Sequence, residues 1–311
     1  MTYAQSGHGA LLYRTELEYL DRLVPYISEA VAAGQAVLVA VPGPNLAVLA
    51  EALGRLTANV VMTDMTEVGR NPGRILGGVL SRFVDKHRDQ PVRLIGEPIW
   101  PGRTEAEYPA CVQHEALLNR AFTGRDVTVI CPYDVCLLDA GVIADARRTH
   151  PVLWQNAAFE CNNAAYAPEA MLDRYNQPLS TDATAVRYTA RKRGDLAGAR
   201  AFAGAYAQWF GLSADQTADL QLIASELATA SLTQVGRTCR LALWRHDGHV
   251  VCEAREDGCL DDPLAGRRPY GSDSDRGRGL YVVNAVADLV RTHTTADETT
   301  IHAYLRLKGA P

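Results

Sequence analysis

The spacing of apolar positions changes several times along this chain. Over residues 13–33, Leu17, Leu20, Leu23, Val24 and Ile27 recur on one face of a 3.6-residue period. This predicts an amphipathic helix, which Gly34 ends. Residues 36–41, Ala-Val-Leu-Val-Ala-Val, are apolar throughout, as strands buried on both sides of a parallel sheet are. A helix over 46–53, a strand at 60–62 and a long helix over 72–87 follow. Strands at 92–95 and 127–130 then flank a helix over 111–122. Strands alternating with helices in this way predict an α/β fold with a parallel sheet.

The pattern then shifts. A short helix over 168–175 leads into Asn-Gln-Pro-Leu-Ser-Thr-Asp-Ala at 176–183, whose Pro and small polar residues read as a linker. A strand at 186–189 opens the second half. Asp195 stands where a cap belongs, before a helix with Leu196, Ala199, Ala203, Tyr206 and Phe210 on one side, and Gly211 stops that helix. Ser213-Ala-Asp-Gln216 is a capping box for the next helix. Strands at 240–245 and 249–254 are joined by an Asp247-Gly248 hairpin, and a last strand is expected at 300–307. The expected domains are 1–165 and 184–311, joined by a helix and linker over 166–183.

At 311 residues the chain is long for one core, which agrees with two domains. A 47% hydrophobic and 22% charged composition is that of an ordinary globular protein. Thirty-one basic against 36 acidic residues give a net charge of −5 with no basic block, so no nucleic-acid partner is expected. No apolar stretch reaches membrane-spanning length, and the first residues lack a signal-peptide pattern, so a cytoplasmic location is expected. The seven cysteines are odd in number and include no Cys-x-x-Cys pair. Cys111-x-x-His114 and the Cys131/Cys136 pair could join a metal or redox site, but they read first as small buried apolar residues, and no metal site is expected.

Candidate chemistry concentrates near the C-terminus. Arg276-Gly277-Arg278-Gly279-Leu280-Tyr281 runs into an apolar, helix-like stretch. Glycines at a helix start let the backbone approach an anion, towards which the first amides point. Upstream lie Ser225-Glu226-Leu-Ala-Thr-Ala230 on a helical stretch and Glu256-Asp257-Gly258 at the end of a strand. This order resembles the GHKL ATP-binding superfamily. Within it, the actinobacterial anti-sigma-factor serine kinases are the nearest likeness, with Asp261-Asp-Pro-Leu-Ala-Gly-Arg-Arg-Pro269 before the lid. The resemblance covers about the last 125 residues and implies a GHKL (Bergerat) α/β sandwich.

Set against that family's pattern, Glu226 stands where the orienting carboxylate belongs. The residue one turn later, normally an Asn that helps hold Mg²⁺, is Ala230. A methyl group cannot ligate a hard cation. The adenine-reading Asp is replaced by Glu256, or displaced by one position. The resemblance assigns Glu256, Gly258, Arg276, Gly277, Arg278, Gly279 and Leu280 to the nucleotide. It implies ATP and Mg²⁺ as cofactors, while the two departures imply a degenerate site.

In the first half, Val41-Pro-Gly-Pro-Asn45 occupies the place of a P-loop without its Gly-Lys-Ser/Thr, and its two prolines remove amides that a phosphate needs. Gly96-Glu-Pro-Ile-Trp-Pro101, Glu115-Ala-Leu-Leu-Asn119, Cys131-Pro-Tyr-Asp134 and the stretch 144–151, with His8 near the start, resemble the MEDS sensory domain. That implies a RecA/KaiC-like parallel-sheet fold over about residues 5–155. Glu97 and Asp134 each follow an apolar strand, where open parallel sheets bind ligands. Trp100, Tyr133, His8 and Glu115 complete a candidate sensor pocket for a small neutral or cationic ligand, or for a contact from the C-terminal domain. The two resemblances together imply a regulator of an alternative sigma factor, acting by binding the sigma factor or its STAS-type antagonist. An active serine/threonine kinase for that antagonist and a ligand-gated regulator of another partner are the alternatives. A homodimer is left open.

Overall fold

The computed structural model describes residues 7–155, 158–160, 163–233, 238–268 and 275–307, with backbone only at 158–160, 275 and 276. The chain divides into two compact units between Tyr175 and Asn176.

The first unit opens with β1 (Gly7–Tyr13), followed by α1 (Glu16–Ala32), β2 (Ala36–Val41), α2 (Gly43–Leu53), β3 (Val61–Asp64) and α3 (Met65–Val68). The segment expected as one long helix is broken into α4 (Pro72–Arg74), a π-helical stretch (Ile75–Ser81) and α5 (Arg82–Lys86). Next come β4 (Val92–Gly96), α6 (Tyr108–Ala121), β5 (Val127–Asp134), α7 (Ala140–Thr149), β6 (Val152–Gln155), β7 (Ala158–Glu160) and α8 (Pro168–Tyr175). The sheet order is β3-β2-β4-β5-β1-β6-β7, and six strands are parallel, β7 alone pairing antiparallel.

β1 differs from the sequence reading, which placed Tyr13 in a helix and began the sheet at residue 36. Its Gly-His-Gly start hides the apolar run, yet it lies between β5 and β6 near the middle of the sheet. Strand alternation then sends Leu11 and Tyr13 to one face, where they pack with α1 and α2, and His8 to the other. Cys131 and Tyr133 of β5 share the face of His8, the one met by α6.

The second unit contains β8 (Val186–Ala190), α9 (Leu196–Phe210), α10 (Ala214–Ser231), β9 (Cys239–His246), β10 (His249–Asp257), α11 (Asp275–Val286), β11 (Leu289–Thr294) and β12 (Glu298–Arg306). The sheet order is β11-β12-β10-β9-β8, antiparallel throughout, with the three helices on one face. The capping box at Ser213 forms with both of its hydrogen bonds, Gly211 takes the left-handed conformation at φ 81°, and Asp247 and Gly248 turn the hairpin at φ 43° and 71°. β11 escaped the sequence reading because its apolar run is only two residues long.

The stretch 176–183 is tied to the second unit rather than free. Asn176 donates to the Thr294 carbonyl at 2.7 Å and accepts from its amide at 2.9 Å. Thr181 donates to the Glu253 carboxylate, and Arg255 donates to the Leu179 carbonyl. On the other side, α8 belongs to the first unit: Tyr175 and Tyr108 both donate to Asp145, and Gln113 donates to the Tyr175 carbonyl.

Gly266 has φ +76°, and a Cβ there would lie 2.5 Å from Leu280 Cβ on α11. Gly266→Ala therefore combines a left-handed backbone with a steric clash and should destabilise the second unit by roughly 2–4 kcal/mol. Ser213→Ala, losing only the cap, should cost about 1 kcal/mol. Urea unfolding of both variants checks the order; a smaller loss for Gly266→Ala than for Ser213→Ala would contradict the packing described.

Candidate functional site

The residues expected to line one sensor pocket separate onto the two faces of the first sheet. On the α1/α2 side, Glu97 follows β4 and is 2% exposed. Asn45, in the first turn of α2, donates to both carboxylate oxygens of Glu97 at 3.1 and 2.9 Å, and its amide lies 3.5 Å from the Tyr13 hydroxyl. Burial pushes the Glu97 carboxyl up to about 8, with Asp134 adding to the rise and the Asn45 bond opposing it. Asp134 itself caps the turn after β5, accepting from the amides of Cys136 and Leu137. Trp100 lies under the Arg103 guanidinium, 3.6 Å from the ring centroid, and Arg103 is held by the carbonyls of Gly69, Arg70 and Pro98. Trp100 and Asp134 thus serve the loops that follow β4 and β5. Beside α2, the Asp64 carboxylate lies against Gly43, 2.6 Å from where a Cβ there would stand, which sets a negative group where a P-loop phosphate would lie.

On the α6 side, His8, Glu115 and Tyr133 do come together, with Cys131 and His150. Glu115, with no exposed surface, is the hub. Its Oε1 accepts from the Tyr133 hydroxyl at 2.9 Å. Its Oε2 lies 3.1 Å from His8 Nε2, 3.3 Å from Cys131 Sγ and 3.3 Å from His150 Nε2. His8 Nε2 is also 3.4 Å from Cys131 Sγ. One donor atom from each of His8, Glu115, Cys131 and His150 falls within 4.8 Å of every other, and all four residues are buried.

The remaining imidazole nitrogens fix the tautomers. His8 Nδ1 faces Asn119 Oδ1 at 3.2 Å, and Asn119 spends its amide on the Thr149 carbonyl at 2.9 Å. His150 Nδ1 donates to the Ala146 carbonyl at 2.8 Å. The two histidines hold the Glu115 carboxyl well below its usual range against the opposing effect of burial. Burial in turn lowers His8 to about 4. Burial and the neighbouring carboxylate push the Cys131 thiol and the Tyr133 phenol well above their usual values.

Sequence reasoning missed Cys131 as a polar partner, along with His150, Asn119, Asn45 and Tyr13. The Glu115/Asn119 pair carried a usable signal, since i and i+4 share a helix face. Among the other cysteines, Cys111 is buried on α6, and Cys136 is exposed in the turn after β5 whereas Cys131 is buried.

In the second unit, Glu226 and Ala230 lie one turn apart on α10, and α11 packs directly against them. A Cβ on Gly279 would stand 3.2 Å from the Glu226 carbonyl, 3.3 Å from its carboxylate and 3.5 Å from Ala230 Cβ. Gly277 and Gly279 lie inside α11 rather than in the loop before it. Gly279 here permits a close helix crossing. Leu280 is buried in the core, and Arg278 is exposed. The side chain of Arg276, and Pro269 in the segment before the helix, lie outside the described residues. Glu256 is 2% exposed and follows Cys252 and Ala254 on the helix-covered face of β10. Asp257, by contrast, is exposed and pairs with Arg240 at 3.1 Å. Gly258, at φ 88°, gives its amide to the Asp297 carbonyl.

Residues 7–151 match the family model of the MEDS domain, described as MEthanogen/methylotroph, DcmR Sensory domain. Residues 188–305 match that of the histidine kinase-like ATPase domain. The chain therefore joins a MEDS sensory domain to a histidine kinase-like ATPase domain, the architecture of a signalling regulator. No curated protein matches it. No described helix is long and apolar enough to cross a membrane.

Glu97 supplies a pH test. Its folded value, about 8, exceeds the unfolded 4.5, so the folded state holds the extra proton between them. That contribution is complete below about 4.5 and is lost as pH rises through about 8. His8, lowered to about 4, works in the opposite sense below its ordinary 6.5. Between about pH 6.5 and 8 the Glu97 effect should therefore be visible as a fall in thermal stability that Glu97→Gln flattens. Melting curves across that window decide it; an unchanged slope in the variant would assign the dependence elsewhere.

Proposed function

We propose that this chain regulates an alternative sigma-factor pathway by binding a protein partner, with the MEDS unit receiving the signal. The partner is the sigma factor itself or its STAS-type antagonist. The histidine kinase-like unit acts as a binding module whose nucleotide site is degenerate. One observation carries this reading: α11 closes onto Ala230, at the position from which a metal-binding side chain would reach Mg²⁺. Phosphoryl transfer rests on metal and positioning, so the loss of that ligand favours binding over catalysis. Ala230 is 6% exposed and touches the Gly279 turn, leaving little room for a longer residue.

The partner surface we favour is the end of α9. Trp209 is 73% exposed beside the aromatic rings of Tyr206 and Phe210. Exposed aromatic side chains with apolar neighbours are frequent anchors of protein interfaces. A cytoplasmic location fits this role.

Calorimetry of the full chain with Mg-ATP is expected to show no saturable binding in the low-micromolar range. The double change Ala230→Asn, Glu256→Asp should recover little affinity, because the Asn must displace the Gly279 turn. Tight Mg-ATP binding with phosphate transfer to a STAS protein would instead establish the kinase reading. For the partner, tagged full-length protein should capture a sigma factor or STAS protein from its native extract. Trp209→Ala should weaken capture at least about tenfold without lowering the melting temperature. Undiminished capture by the variant would move the interface off α9.

A further inference from the structure

We propose that His8, Glu115, Cys131 and His150 form a buried binding site for a zinc-class divalent cation. Two imidazoles, a carboxylate and a thiol are the donor types that zinc takes, and four protein ligands make a closed site. The spacing supports this independently of the residue types. With metal–ligand bonds of about 2.0–2.3 Å, the edges of a tetrahedral donor set are about 3.3–3.6 Å. Four of the six separations here are 3.1, 3.3, 3.3 and 3.4 Å, and the other two fall within 4.8 Å.

The hydrogen bonds around the cluster point the same way. Both histidines use Nδ1 as a donor, to Asn119 Oδ1 and the Ala146 carbonyl, so in the neutral rings each Nε2 presents a lone pair inward. Both lone pairs then face a carboxylate oxygen. His150 Nε2 is within 3.3 Å of Glu115 but out of hydrogen-bond alignment, and it has no other partner among the described residues although fully buried. The Cys131 thiol proton bonds to Glu115, yet both imidazole lone pairs still face that carboxylate oxygen, and a cation among the four removes the repulsion. Outer-shell bonds of this kind, imidazole to carbonyl and phenol to carboxylate, orient and tune metal ligands in known sites. Here Tyr133 holds Glu115 Oε1, leaving Oε2 to the cluster.

A pocket of about 350 Å³ opens at the amino-terminal edge of the sheet, lined by Gly7, His8, Asn119, Val127, Pro151 and Tyr166. It reaches His8 from the surface, on the opposite side of the strands from Glu97. On binding, Cys131 gives up its thiol proton to solvent and coordinates as thiolate, a cost that burial makes large and the cation offsets. The ion would tie β1, β5, α6 and the α7–β6 turn together. That the MEDS unit senses metal supply rests on the sensory reading above; the site itself does not.

The test uses the full-length protein, purified with and without Zn²⁺ and freed of loose ions by gel filtration, then assayed for metal. A stoichiometric amount of zinc is expected, with a raised melting temperature. Co²⁺ in its place should give the intense visible bands of a tetrahedral site and a thiolate charge-transfer band. Cys131→Ser should abolish the charge-transfer band, and His150→Gln should reduce retained metal at least about tenfold. Cys136→Ser and Cys259→Ser should leave both signals unchanged. Absence of retained zinc and of the cobalt spectrum in the wild-type chain would overturn the site, whether or not the variants fold. A charge-transfer band that survives Cys131→Ser but vanishes with Cys136→Ser would overturn it equally. Failure here leaves the partner-capture result untouched, so the two readings fall separately.

Discussion

A carboxylate cut off from solvent has to be solvated by the protein, and Glu115 makes the first unit answer that demand. Leaving it ionised and unpaired would cost several kcal/mol. Its two oxygens accept instead from Tyr133 and Cys131 of β5, while His8 of β1 and His150 at the end of α7 close around them. These elements come from widely separated parts of the chain, so the network forms only when the central strands have paired and α6 has docked. The π-helical stretch before α5 and the Arg103 clamp lie outside this network and shape the loops at its margin.

The helical layer of the second unit depends on close backbone approach. Gly279 lets α11 lie against the carbonyl of Glu226, and Gly266 lets the preceding loop lie against Leu280. Asn284 fixes that loop by donating to the Gly266 carbonyl at 3.1 Å. The same contacts that make the helical layer compact occupy the space beside Ala230.

Between the units the chain changes allegiance within one peptide bond. Tyr175 is held by Asp145, and Asn176 is held by Thr294. The proline and small polar residues of 176–183 do not leave a loose tether, because Thr181 and the Leu179 carbonyl are bound along the second sheet by Glu253 and Arg255.

The sequence by itself determined the alternation of strands and helices, the capping box at Ser213, the stop at Gly211, the Asp247-Gly248 hairpin and an apolar Ala230 one turn after Glu226. Each of these is a local property, set by periodicity, by the conformation a residue can adopt or by the atoms it lacks. Glu226, Glu256, His8 and Glu115 were legible as candidates because they lie in motifs that resemble those of known families. Which of them meet was decided by tertiary structure. β1 was unreadable, since its glycines give no strand signal and only pairing with β5 and β6 makes it one. Without β1 in place, nothing in the spacing separates Glu97 from Glu115 onto opposite faces. Cys131 read first as a small apolar residue, and His150 stood in the 144–151 stretch with no role of its own. A donor cluster is a matter of distances across the fold, and those exist only once six parallel strands have set their register.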